Sequence, residues 1–353
     1  MRVADVMSPS RPAARESFSV PFILDCSKYL LERRRLFLAP LLLFLGIAGS
    51  SKSLLTVGSA TVAAQANITV AANLVLLPVN VTNARGTFVS GLKAQDFRVY
   101  EDGKLQALTV FEQGDTPVTV GLVVDHSRSM GSKLPGVVIA VSSFIHLSNP
   151  QDEMFVVDFN DDVSIELMKG KAFSSDAKEL EGALSAVSAR GRTALYDAVS
   201  EGLNHLQYGR WGKKALVVIS DGGDNASHLK YSQVLAQARR SQALIYSVAL
   251  LGARDEEENP KVLQRLCKDT GGIAFFPGPQ DRVADISKEI ARDLREQYTL
   301  GYVPRNMEGA ESFRKIEVKV TAQDYGKVRV RTRLGYSPTA DKQSTMQPRS
   351  GTR

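Results

Sequence analysis

Three patterns of apolar and polar residues succeed one another along the chain. From Asn73 to Glu112, short runs of apolar and alternating residues are separated by turn residues. Leu74–Val81 and Phe97–Tyr100 read as strands, and Leu108–Phe111 as the strand returning from a hairpin. Asn83-Ala84-Arg85-Gly86 and Glu101-Asp102-Gly103-Lys104 supply the turns, the second with Asp-Gly at its centre. About forty residues of hairpin bury too little apolar surface to stand alone, so a partner sheet is expected elsewhere. At Pro117 the pattern changes. Continuous apolar runs of strand length at Thr119–Val124, Met154–Phe159, Ala215–Ile219 and Leu244–Leu250 alternate with helical spacing. Shorter strands are expected at Ser164–Met168 and Ile273–Phe276. The helices fall at Gly136–Leu147, Asp176–Val187, Ala194–Leu206, Tyr231–Ser241, Pro260–Thr270 and Arg282–Arg295. Strands buried on both faces and alternating with helices predict a doubly wound, Rossmann-like α/β domain.

After Gln297 the alternation returns in Tyr298–Val303, Arg314–Thr321 and Lys327–Leu334. Ile316, Val318 and Val320 interleave with Glu317, Lys319 and Thr321, so one face is buried and the other wet. The simplest arrangement pairs residues 67–116 with residues 297–337 in a β-sandwich and inserts the α/β domain, residues 117–296, between them. Residues 338–353 are polar and aperiodic and read as a disordered tail.

Charge alters this picture little. The net charge of +6 invites a nucleic-acid reading, but residues 1–66 carry +4 of it and the tail +2. The middle is neutral and offers no electrostatic footprint for DNA or RNA. Residues 1–66 instead have the parts of an export signal: Arg33-Arg34-Arg35, the apolar run Leu36–Gly49, and small residues ending in Ala64-Gln65-Ala66. The apolar run of about 14 residues contains Pro40 and is short for a membrane span. Cleavage would send the chain to the cell exterior, periplasm or envelope; retained, residues 36–49 would serve as an anchor. Cys26 would be lost on cleavage, leaving Cys267 without an intramolecular partner.

The candidate chemistry lies at strand ends. Asp125, Ser127 and Ser129 leave the apolar strand at alternating positions, and two later loops, Gly191-Arg192-Thr193 and Ser220-Asp221-Gly222-Gly223, carry further oxygens. Oxygen donors without imidazole or thiolate suit a hard cation such as Mg²⁺. In a doubly wound sheet the ligand site is expected beyond the carboxyl ends of the strands, where Asp125 and Asp221 fall. A polar turn with Asp125 or Ser127 capping the next helix is the plainer alternative, and Thr193 could cap the helix from Ala194. Asp224 and Asn225 read as turn residues, Asp158 as structural, and the last helix's charges, Asp285, Lys288, Glu289, Arg292, Asp293 and Arg295, as a solvated face with i,i+4 pairs.

Asp125-x-Ser127-x-Ser129, followed by Thr193 and Asp221, resembles the metal-ion-dependent adhesion site of von Willebrand factor A domains, over roughly residues 117–296. Residues 91–103 and Gln297-Tyr298-Thr299-Leu300-Gly301-Tyr302 are similar to the flanks of a von Willebrand factor A-related family abundant in Acidobacteria. The resemblance implies Ser127 and Ser129 as direct ligands of Mg²⁺, or of Mn²⁺ or Ca²⁺ in its place. It implies Thr193 as a ligand that switches between direct and water-mediated contact, and Asp125 and Asp221 as the residues that orient water and balance charge. His126 and Arg128 fill positions that the pattern leaves free; Arg128 stands where glycine is common, at the approach that a partner would use. The implied partner is a protein that presents an Asp or Glu carboxylate, and the implied role is adhesion or assembly without catalysis. A scaffold whose metal only stabilises the fold and a metal-dependent hydrolase are the rivals. The four histidines, 126, 146, 205 and 228, form no recognisable catalytic pattern in the sequence, and no Gly-x-Ser-x-Gly or His-Glu-x-x-His is present.

Overall fold

The computed structural model describes residues 74–338, apart from 168–169, 186–187, 253–257, 279–281, 305–311 and 323–324. The export segment and the tail expected from the sequence lie outside the described residues. Strands β1 (Val75–Thr82), β2 (Phe97–Glu101), β3 (Lys104–Gln106) and β4 (Leu108–Gln113) come first. Strands β11 (Tyr298–Tyr302), β12 (Arg314–Val320), β13 (Arg329–Arg331) and β14 (Gly335–Tyr336) come last. They interleave into two four-stranded sheets, ordered β13-β1-β11-β4 and β14-β12-β2-β3. Each sheet therefore needs both ends of the chain. Val75, Leu77 and Val79 of β1 join Phe97, Val99, Leu300, Ile316 and Val318 in one apolar core, as the period-two alternation requires. Inside it, Glu101 accepts hydrogen bonds from Arg314 Nη1 (2.7 Å), Tyr302 Oη (2.6 Å) and Tyr336 Oη (2.9 Å).

The third apolar run expected near the C-terminus, Lys327–Leu334, is not one strand. It divides into β13 and β14, which belong to different sheets. The break is at Arg333, whose buried guanidinium donates to the carbonyls of Arg239 (2.8 Å), Ser241 (2.9 Å) and Gly335 (2.9 Å). Two of those carbonyls end helix α4 (Tyr231–Arg240), so the arginine satisfies a helix terminus that has no intrahelical donor.

Between the two halves lies a six-stranded sheet ordered β10-β9-β8-β5-β6-β7. Its strands are β5 (Thr119–Asp125), β6 (Glu153–Phe159), β7 (Val163–Ile165), β8 (Lys214–Ser220), β9 (Leu244–Ala249) and β10 (Ala274–Phe275). All pairs are parallel except β6 with the edge strand β7. Alternate residues of β5 serve opposite faces. Val120, Leu122 and Val124 pack beneath α1 (Leu134–Leu147), α2 (Ala177–Ser185) and α6 (Val283–Arg295). Val123 packs beneath α3 (Leu195–His205), α4 and α5 (Pro260–Thr270). This is the doubly wound α/β domain that the sequence predicts, inserted between the strands of a β-sandwich. Chain order reverses at β5, which has β6 on one side and β8 on the other. Such a reversal opens a crevice at the carboxyl ends of the strands.

Helix α6 differs from expectation at Asp293 and at Arg295, which is half-buried and pairs with Asp115. Asp285, Lys288, Arg292 and Glu296 form exposed i,i+3 and i,i+4 pairs. Asp293 turns inward with its side chain 13% exposed. It accepts from Asn80 Nδ2 of β1 (2.8 Å), Tyr246 Oη of β9 (2.7 Å) and the Arg331 guanidinium of β13. One carboxylate thus ties the inserted domain to the sandwich.

Candidate metal centre

Asp125 ends β5 and is fully buried. One carboxylate oxygen accepts the Ser127 N–H (2.9 Å) and the other the Ser220 hydroxyl (2.6 Å). Burial pushes its pKa up to about 6; the two serines oppose that shift and the Asp221 charge adds to it. The Asp125–Ser127 bond folds the chain back at the strand end, and a single 3₁₀ turn over Arg128–Met130 then leads into α1. This turn brings the Ser127 and Ser129 hydroxyls to 3.2 Å from each other. Ser129 Oγ donates to Asp221 Oδ2 at 2.7 Å, and Gly223 N–H donates to the other oxygen of Asp221 at 3.2 Å.

Thr193 arrives from the third loop. Its N–H donates to Asn225 Oδ1 (2.8 Å), and its carbonyl accepts the N–H groups of Asn225 and Ala226, both at 3.0 Å. The same loop is stitched to the first by Arg190 N–H to His126 O (2.9 Å) and Arg128 N–H to Gly191 O (3.3 Å). Two glycines are required here. Gly191 has φ +76°, and a Cβ there would fall 1.9 Å from Asp161 Oδ2. Gly222 has φ +84°, and a Cβ there would stand 2.6 Å from the Asn259 carbonyl oxygen. Both backbones lie in the left-handed region open to glycine.

The result is a cleft of about 590 Å³ whose lining includes Ser127, Ser129 and Thr193 as well as Arg128, Asp161 and Arg192. The two aspartates are not part of that lining: Asp125 is 0% and Asp221 2% exposed, behind the hydroxyls. Around a Mg²⁺ ion with ligands at about 2.1 Å, adjacent oxygens stand roughly 3.0 Å apart. The Ser127–Ser129 and Ser129–Asp221 separations of 3.2 and 2.7 Å bracket that spacing. The donor set therefore fits a small hard cation. Among the described residues no group of three or more His, Cys, Asp or Glu competes with it as a metal cluster.

Several neighbours were not apparent from sequence. His126, at a position the motif leaves free, is buried and pairs through Nδ1 with Asp158, while its N–H donates to Phe159 O at 2.8 Å. Asn225, read as a turn residue, is what positions Thr193. Lys133 at the start of α1 reaches Asp221 Oδ2 (3.3 Å) and Glu258 Oε1 (3.1 Å). Arg192 pairs with Asp161 at 2.9 Å; its N–H and guanidinium hold that carboxyl below its ordinary range. Arg128 is exposed at the cleft. Spacing along the chain gives no signal for any of these pairs except the proximity of Asn225 to the Asp221 loop.

Residues 119–289 match the family model of the von Willebrand factor type A domain. No curated protein matches the chain. Similar solved structures include the conserved hypothetical protein BatB from Bacteroides thetaiotaomicron, at 19% identity over 50% of this chain and 98% of that one, TM-score 0.40. A von Willebrand factor type A protein from Catenulispora acidiphila is 13% identical over 70% of this chain and 74% of that one, TM-score 0.46. The von Willebrand domain of the type V pili tip protein Mfa5 from Porphyromonas gingivalis is 19% identical over 32% and 40%, TM-score 0.29.

Proposed function

We propose that the von Willebrand factor type A domain formed by residues 119–289 is a cation-dependent protein-binding module of the bacterial envelope or exterior, used in adhesion or assembly. Ser127, Ser129 and Thr193 would hold the cation through their hydroxyls. Asp221 would complete the set, and Asp125 would orient the loop and any bound water. Mg²⁺ fits the oxygen spacing, and Mn²⁺ or Ca²⁺ could take its place. When bound, the cation supplies a charged coordination position facing the cleft, which suits an Asp or Glu carboxylate of a protein partner.

The observation that carries the reading is the convergence of three hydroxyl-bearing residues on one cleft with two carboxylates buried behind them. Arg128 at the cleft adds positive charge that favours an acidic partner. The site offers no free general base. Both Asp125 oxygens and both Asp221 oxygens accept hydrogen bonds, and His126 is tied to Asp158. Export is supported by the basic and apolar segments of residues 33–66. Among the described residues no helix is long and apolar enough to cross a membrane.

The test is a pull-down from envelope extract with the full chain, in Mg²⁺, in EDTA, and with Asp125→Ala. A partner captured only by the wild type in Mg²⁺ supports the reading. A partner retained equally in all three samples contradicts it. Metal-dependent melting with no metal-dependent partner would indicate a scaffold, and turnover of a substrate a hydrolase.

A further inference from the structure

Among the described residues, Lys133 is the one side-chain cation that touches the candidate ligand set. Its backbone is fixed at the start of α1, where its carbonyl accepts the N–H groups of Gly136 (2.9 Å) and Val137 (3.1 Å). The side chain is only 14% exposed and bridges two loops: Asp221 Oδ2 at 3.3 Å and Glu258 Oε1 at 3.1 Å. Asp221 Oδ2 is also the oxygen that accepts the Ser129 hydroxyl. The ammonium and the proposed cation therefore seek the same carboxylate oxygen. Glu258, 10% exposed, is fixed in turn by the Gly252 N–H, so the lysine has a second anchor that does not belong to the ligand set.

We propose that Lys133 is an internal competitor that sets the affinity of the domain for its divalent cation, with Glu258 as the anchor to which the ammonium yields Asp221. This rests on the metal-site reading above. A unit positive charge beside one ligand opposes a divalent ion even under water-like screening, where the repulsion corresponds to about a ten-fold loss of affinity. A merely structural role differs in sign. If Lys133 only neutralised two buried carboxylates to hold the loops, its removal would loosen the site and weaken cation binding.

Mn²⁺ titrations of the full chain, by calorimetry and by the loss of the free-ion electron paramagnetic resonance signal, separate these cases. Lys133→Met should bind Mn²⁺ about ten-fold more tightly than wild type, and Lys133→Arg, which keeps the charge, should stay within about two-fold. Glu258→Gln should bind more weakly, and its effect should shrink when Lys133 is already Met. In EDTA Lys133→Met should melt below wild type, because Asp221 and Glu258 lose their counter-charge, and Mn²⁺ should close the gap. Wild type that binds Mn²⁺ as tightly as, or more tightly than, Lys133→Met overturns the role of Lys133 alone. Binding in neither protein overturns the metal site itself.

Discussion

Asp293 is the most consequential single carboxylate outside the cleft, and Asp293→Ala tests whether sandwich and insert are one mechanical unit. The substitution removes the acceptor of a buried tyrosine hydroxyl, of one Asn80 amide bond and of the Arg331 guanidinium. Asn80 keeps its second bond, to the Asp293 backbone carbonyl at 3.0 Å, and Tyr246 Oη still accepts from Gln297 at 3.0 Å. The two bonds from neutral donors to the charged carboxylate are worth about 1.5 kcal/mol each, and the half-buried guanidinium left without its carboxylate costs about 2 kcal/mol. A loss of about 5 kcal/mol lowers the melting temperature by roughly 10–15 °C in a unit of this size. Calorimetry gives the total, while Trp211, the single tryptophan, reports the α/β domain by fluorescence. In the wild type both should show one transition. In Asp293→Ala the transition should fall and the two probes should separate, and Asp293→Asn should lie between. Adding Arg331→Met to Asp293→Ala should recover part of the loss, since no unpaired charge then remains. A melting temperature within about 2 °C of wild type, with coincident probes, would refute the assignment of Asp293 as the tie.

Lys213 predicts a pH dependence. Burial lowers its ammonium from 10.5 to about 8, although the charges of Asp115, Asp152 and Asp293 oppose the shift. Between those values the unfolded chain holds a proton that the folded one has lost, so stability rises with pH and levels off once both are neutral. Urea unfolding at pH 9.5 should exceed that at pH 7.5 by about 2 kcal/mol, a slope that Lys213→Met should abolish; equal slopes would contradict it. Gly222→Ala should cost about 2–4 kcal/mol by calorimetry, combining a left-handed backbone with the Asn259 carbonyl in the way. Cys267 is fully buried and its thiol is pushed up to about 12, so its peptide should take up iodoacetamide at pH 8 only after denaturation.

What the sequence disclosed depended on the range of the interaction. Asp125, Ser127 and Ser129 lie within five residues, and the apolar strand before them marks them as strand-end groups. Asp221 follows the same logic after β8, whereas Thr193 lies between α2 and α3 and is marked only by its place before a helix. The alternation in Arg314–Val320 and the apolar run at Thr119–Asp125 likewise announce a half-buried and a fully buried strand. Hidden from sequence were contacts between distant positions with no periodic mark. Lys133 meets Glu258 125 residues away, and Asn80 meets Asp293 across 213. Asp293 sits on a helix whose charges Asp285, Lys288, Glu289 and Arg292 are exposed, so composition alone assigns it to the wrong face. Arg333 interrupts a run with good strand periodicity because the carbonyls at the end of α4 need a donor, a demand visible only after the helix is placed against the sandwich.

The central claim is a divalent-cation site at Ser127, Ser129, Thr193 and Asp221, and direct titration of Mg²⁺ into the full chain tests it. Wild type should bind one ion per chain, and Ser129→Ala, which removes the hydroxyl between Ser127 and Asp221, should lose at least ten-fold in affinity while keeping its circular dichroism spectrum. Absence of binding by the wild type, or equal binding by the folded Ser129→Ala variant, would contradict the account.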